Sequence, residues 1–216
     1  MAEAPNKQSS SSRQREELKS DLIRSAEELM KEPSEKFSLK KVTENADTST
    51  QMIYTIFGGK RELLAAVYEK QAVELAERLS SVEDDDPVRC YWLLVEIYRT
   101  FYLENQELLD SLYNLSKTDE EADSVIRRTQ GFDLFKEQLE QCQEKGLLAD
   151  DVDLNDLTVS LWASADGILR LETLGFFETE EKAHQRYLET FQSILQGNSP
   201  EPDQFTLPED LTLPSN

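Results

Sequence analysis

Apolar residues along the chain recur at steps of three and four, and no stretch shows the apolar–polar alternation of a half-buried strand. From Arg15, Leu18, Leu22, Ala26, Leu29 and Met30 mark one face of a helix that must stop near Pro33. Ser38 can cap a second, very short helix carrying Leu39, Val42 and Ala46, and Ser49 a third carrying Ile53 and ending near Phe57. Gly58-Gly59 breaks the chain. A fourth helix begins near Lys60 and runs through Leu63, Leu64, Val67, Tyr68, Leu75 and Leu79 to the acidic break at Glu83 to Pro87. Five further helical segments follow at about 88–104, 105–117, 119–146, 153–175 and 179–196, with Gly146, Gly175 and Gly197 where C-terminal caps belong and Thr179 as an N-cap. The ends carry no such pattern. Residues 1–12 are polar and serine-rich, residues 197–216 hold four of the seven prolines, and both read as disordered tails.

Two short helices in tandem, 39–46 and 49–56, form a helix-turn-helix pattern whose second helix would enter a DNA major groove. The residues sharpen it. Phe37-Ser38-Leu39-Lys40-Lys41-Val42 followed by Ala46 to Leu64, with the linked Ser49, Tyr54, Phe57, Lys60 and Leu63, resembles the DNA-binding domain of the tetracycline-repressor (TetR) family from about Arg15 to Tyr68. The resemblance implies an all-α protein: an N-terminal three-helix helix-turn-helix domain (13–60) and a C-terminal helical bundle (61–196) for ligand binding and dimerisation.

It also implies roles. Ser38 and Lys60 resemble the family's phosphate contacts, and Tyr54 its backbone-touching tyrosine. Ser49 belongs to the same motif at the tip of the third helix. On the exposed side opposite Ile53, Thr50, Gln51, Met52 and Thr55 would read bases: Gln51 could pair with adenine and Met52 could lie against a thymine methyl. Lys40 suits guanine or a phosphate, while Arg13 and Arg15 could follow phosphates or enter the minor groove. Two positions depart from the family pattern: Asp47 replaces the usual turn glycine and Ile56 a frequent aromatic.

In the C-terminal half, Leu161-Trp162-Ala163-Ser164-Ala165-Asp166-Gly167-Ile168-Leu169 resembles the Trp-His-Gly segment of one TetR subgroup, with Asp166 where histidine is common. Gly167 in mid-helix suggests a close helix crossing. Trp162, Gly167, Tyr187 and Phe191 are the expected dimer contacts, with core packing equally open for Tyr187 and Phe191. Trp92, Tyr98, Tyr102, Tyr113, Phe132, Phe135, Trp162 and Asp166 form the pool from which an effector site would draw. Asp166 needs a partner, either an arginine such as Arg170 or a cationic ligand.

Composition narrows the chemistry. A single histidine, His184, and two cysteines far apart, Cys90 and Cys142, rule out a catalytic triad, a multi-histidine metal centre and a zinc cluster. An enzyme is not expected, and neither cofactor nor metal is implied. The first twenty residues lack the apolar run of a secretory signal and no stretch suits a membrane span, so a cytoplasmic protein without membrane partners is expected. Forty-four acidic against twenty-three basic residues give a net charge of −21, which argues against a uniformly basic nucleic-acid coat. Residues 1–60 nonetheless carry ten of each sign, so the whole excess lies in residues 61–216. An acidic body would repel DNA except at the neutral head.

The expectation is a homodimeric repressor that binds a pseudo-palindromic operator in double-stranded DNA and leaves it when a small-molecule effector binds. The alternatives are an activator or constitutive repressor without inducer, and a helical ligand- or partner-binding protein with weakened DNA binding.

Overall fold

A computed structural model describes residues 7–32, 37–117, 130–208 and 211. Among these residues every regular element is helical: α1 (Lys7–Lys31), α2 (Leu39–Asn45), α3 (Thr50–Ile56), α4 (Lys60–Ser80), α5 (Pro87–Glu104), α6 (Gln106–Lys117), α7 (Gln130–Glu144), α8 (Leu154–Thr173), α9 (Glu180–Gly197) and a 3-10 turn (Pro202–Phe205). No helix is long and apolar enough to cross a membrane, among the described residues. They form two compact units. The first holds the chain through Gln71 together with α6 from Glu107; the second holds Ala72–Gln106 and the described chain from 130 onward. The first unit therefore reaches beyond the division near residue 60 drawn from the motif alone.

The first unit closes around one apolar cluster. Leu22, Ala26, Leu29 and Met30 of α1 meet Val42 of α2, Ile53 of α3, Leu63 and Val67 of α4, and Leu108 and Leu112 of α6. Fully burying each side chain of this size contributes about 1.5–3 kcal/mol, which is how helices of seven residues survive that would not form alone. Ser38 caps α2 by accepting the Lys41 N–H at 3.3 Å. Ser49 occupies the N-cap position of α3 but makes no side-chain cap bond. Asp47, in the turn between α2 and α3, adopts the left-handed conformation at φ 46°, the geometry for which glycine is the usual choice.

In the second unit α5 is the central rod, buried on almost every side from Pro87 to Tyr102. Asp86 caps it by accepting the Val88 N–H at 2.9 Å, and Pro87 follows at the first turn, where its missing N–H costs nothing. Helices α7 and α8 pack on α5 and on each other, and α9 packs on α8. Asp153 and Thr179 cap α8 and α9. Gly146 and Gly175 take positive φ beyond α7 and α8, as caps require, whereas Gly197 is the last residue of α9 and Asn198 is the cap.

Three expectations are corrected. Helix α1 begins at Lys7, so residues 7–12 are helical; a polar stretch offers no periodicity to mark a helix, but it holds no breaker either. Residues after 197 are not uniformly a loose tail: the 3-10 turn packs on α9 and Phe205 is completely buried. Within the subunit Gly167 has no close crossing, since a Cβ placed there would meet nothing within 4 Å. The expected helix 119–146 is described only from Gln130, and its earlier part lies outside the described residues, as does the side chain of Tyr113.

Candidate functional site

The inner side of α3 is Ile53, with no exposed surface, and the half-buried Ile56, which packs against the same core cluster. Thr50, Gln51 and Thr55 are exposed and Met52 is half-buried. Tyr54 is 54% exposed rather than packed into the core, so its phenol is available to a partner. Thr55 Oγ1 donates back to the Gln51 carbonyl at 2.9 Å, and Arg15 reaches from α1 to the Thr55 carbonyl at 3.4 Å, so Arg15 steadies the end of α3 in the free protein.

Around this helix lie the remaining candidate contacts. Lys60 is exposed at the first position of α4, its Nζ 5.7 Å from the centroid of the Phe37 ring. The aromatic face holds the ammonium near the helix start without neutralising it. Lys40 is exposed and only loosely paired with Glu44 at 3.5 Å, a surface contact a phosphate could displace. Ser38 is half-buried and already engaged as the α2 cap, while Ser49 is exposed. Beside Gly59, the Glu62 carboxylate bonds the backbone at the start of α4 and pairs with Arg61 at 2.9 Å. The backbone bond, ahead of the arginine, holds its pKa below the usual value.

The second unit gathers aromatic residues from three helices. The Trp162 ring of α8 lies 4.8 Å from Tyr98 of α5, 5.7 Å from Phe135 and 6.1 Å from Phe132 of α7, centroid to centroid. Trp162 and Phe132 are half-buried; Tyr98 and Phe135 are buried. One helical turn after Trp162, Asp166 accepts the Tyr98 hydroxyl at 2.5 Å. Burial raises the carboxyl's pKa, and the Tyr98 bond and the positive field of Arg170 partly oppose this. The partner sought for Asp166 is thus a tyrosine. Trp92 and Tyr102 are buried, and Trp92 meets Tyr91, which in turn meets Phe135 at 5.9 Å. The Trp92 indole N–H is buried without a hydrogen-bond partner.

Polar pairs that the sequence reading did not anticipate join the helices of this unit. His184 of α9 meets Glu96 of α5 at 2.5 Å, and Arg99 of α5 pairs with Glu172 of α8. Glu96 interrupts an otherwise apolar run from Tyr91 to Tyr98, and that interruption was the available signal. Tyr187 and Phe191 are buried inside the subunit, where the Tyr187 hydroxyl donates to the Val95 carbonyl at 3.0 Å. Both thiols are buried; desolvation pushes Cys142 up to about 12 and raises Cys90, so neither is a ready nucleophile.

A turn held left-handed between α2 and α3, an outward-facing α3 and a capped α4 start together make a helix-turn-helix head followed by a helical second unit. The same arrangement is found in solved structures. RolR in complex with resorcinol superposes with a TM-score of 0.65 at 20% identity, over 92% of this chain and 98% of that one. A TetR-family regulator from Rhodococcus sp. gives 0.68 at 16% identity, over 83% and 99%. SmeT, the repressor of the Stenotrophomonas maltophilia multidrug efflux pump SmeDEF, gives 0.68 at 17%, over 92% and 97%. The chain has the TetR-family fold. No family sequence model matches it, and no curated protein sequence does. The TetR fold is therefore carried here by a sequence only 16–20% identical to those of these structural neighbours.

Proposed function

We propose that the protein is a dimeric, effector-responsive transcriptional regulator, a repressor in its unliganded form, whose α3 enters the major groove of an operator. The observation that carries this reading is the solvent face of α3: Thr50, Gln51, Tyr54 and Thr55 are exposed around a single buried anchor, Ile53, with Lys60 exposed beside them at the start of α4. An ordinary bundle helix would bury its aromatic residue; Tyr54 stays out. The charge distribution agrees, since the residues to 60 are neutral and the remainder carries the entire −21. The structural neighbours, one named as a repressor and one in complex with the ligand resorcinol, support a ligand-responsive reading. Such release requires that the effector bind the DNA-free state more tightly.

A second copy of the chain supplies the two-fold symmetry a pseudo-palindrome requires. Its contact surface is the outward stripe of α8 and the following turn: Val159, Leu171, Leu174 and Phe176 are exposed, the last two at 74% and 71%, with Ala163 and Gly167 exposed between them. Gly167 faces open space in one subunit, which leaves room for a partner helix to approach. Trp162 borders this stripe, while Tyr187 and Phe191 support it from inside.

The test is base-level. Gln51→Ala should change the preferred base at one position of each half-site while leaving nonspecific affinity intact. Lys60→Ala should weaken all sequences alike and reduce the salt slope by about 1. A Gln51→Ala variant that loses affinity equally for every sequence would remove α3 from the groove.

A further inference from the structure

We propose that the effector is an organic cation with an apolar body, held at the outer edge of the α5–α7–α8 aromatic cluster, its charge against Asp166 and its body against Trp162 and Phe132. This rests on the ligand-responsive reading above and assigns that site its chemistry. Three independent observations converge. Trp162 is the hub of the cluster, with Tyr98, Phe135 and Phe132 all within 4.8–6.1 Å of it, yet it remains half-buried, so part of an indole is open beside the half-buried Phe132. Indole is the aromatic surface most attractive to a cation.

Asp166 lies four residues after Trp162 on α8, placing its carboxylate over the same edge. Part of the residue is exposed while the carboxylate is desolvated on its α5 side, where Tyr98 engages its Oδ1; this fixes the carboxylate toward α5 and leaves acceptor capacity for a further donor or a positive charge. Tyr98 is itself buried and packed against Phe135 and Trp162, so the carboxylate is set by a rigid support rather than by a mobile side chain. Arg170, one turn further, contributes a positive field that opposes the effect of desolvation on the carboxylate.

The third observation is the charge of the body. Residues 61–216 hold thirteen basic and thirty-four acidic residues, a field that concentrates cations at the surface and opposes anions. A neutral phenol could also donate to Asp166, but it would draw nothing from that field and little from the ring faces. An aromatic edge, an anchored carboxylate and an acidic surround select for positive charge together.

The experiment titrates the full chain with phenyltrimethylammonium, its uncharged isostere tert-butylbenzene, and resorcinol, followed by calorimetry and tryptophan fluorescence. Saturable binding of the cation, at least about tenfold tighter than the isostere, is expected. Asp166→Asn, which keeps an acceptor for Tyr98, should abolish that preference with an unchanged circular dichroism spectrum, and Asp166→Glu should retain part of it. Absence of saturable cation binding, equal binding of cation and isostere, binding of resorcinol alone, or an Asn variant that keeps the preference would each overturn the proposal. Operator gel shifts run alongside separate the two levels. Retained DNA binding with release by resorcinol but not by the cation leaves the regulator standing and removes the cation. Failure to bind any DNA removes the regulator, while calorimetry still decides the ligand.

Discussion

Helix α4 carries Lys60 at its start, and besides the apolar cluster a buried carboxylate ties α4 to α1. Glu27, 7% exposed, accepts Lys70 Nζ at 2.6 Å and Gln71 Nε2 at 3.0 Å. Lys70 is half in solvent, so the ion pair itself contributes at most about 1 kcal/mol. Gln71 is 4% exposed and its Oε1 already lacks a partner, so removing the acceptor for Nε2 leaves the whole amide unsatisfied, at a cost of about 1–3 kcal/mol. Glu27→Ala should therefore destabilise the protein by about 2–4 kcal/mol, whereas Glu27→Gln, which preserves the acceptor and loses only the charge, should cost about 1 kcal/mol or less. Urea unfolding followed by circular dichroism reads both, as a fall in midpoint at constant slope. Operator affinity should fall with Glu27→Ala and hold with Glu27→Gln, because α4 positions Lys60. Equal losses for the two variants would show that the charge and not the buried hydrogen bond matters. No loss for either would refute the reasoning.

Further outcomes follow from single residues. Phe205→Ala should cost about 3–5 kcal/mol, measured by thermal unfolding, since the ring is completely buried although it lies in a proline-rich segment. Asp47→Ala should destabilise by about 1 kcal/mol and weaken operator binding, because alanine tolerates φ 46° less well than aspartate, and Asp47→Gly should bind DNA at least as well as the parent. Asp166 has its folded pKa raised by burial, so its ionisation opposes folding: the stability it permits is fully present below the unfolded pKa and declines as pH rises through the folded one. Asp166→Asn should accordingly gain melting temperature over the parent near pH 7, with the gain vanishing toward pH 3. Leu174→Asp combined with Phe176→Asp should raise the dimer dissociation constant by at least about tenfold in sedimentation experiments, given about 1.5–3 kcal/mol for each large apolar side chain buried.

The helix-turn-helix head was legible because short elements leave little choice: Ile53 and Ile56 are the two aliphatic residues of α3 that pack inward, and Ser38, Asp47 and Gly58 mark its neighbours' ends by chemistry alone. The aromatic pool of the second unit was legible in kind but not in arrangement. Nothing in the spacing of Tyr98 and Asp166, 68 residues apart, reveals that they meet, and Trp92 and Trp162 look equivalent until one is buried and the other half-open. The start of α1 and the anchoring of Phe205 escaped because a polar serine-rich turn and a lone phenylalanine among prolines carry no periodicity; for Phe205, packing on α9 rather than local pattern decides its place. Gly167 marks close approach without saying whether the neighbour belongs to the same subunit, and within the subunit a Cβ there would meet nothing within 4 Å.

The central claim is that the neutral head of an acidic protein reads DNA by sequence. A binding screen on randomised duplex oligonucleotides at several salt concentrations, followed by footprinting of the selected sites, tests it most directly. The account predicts a pseudo-palindromic site with two protected half-sites, and an affinity that falls with salt while its sequence preference persists. Recovery of no preferred sequence at any salt concentration would contradict it.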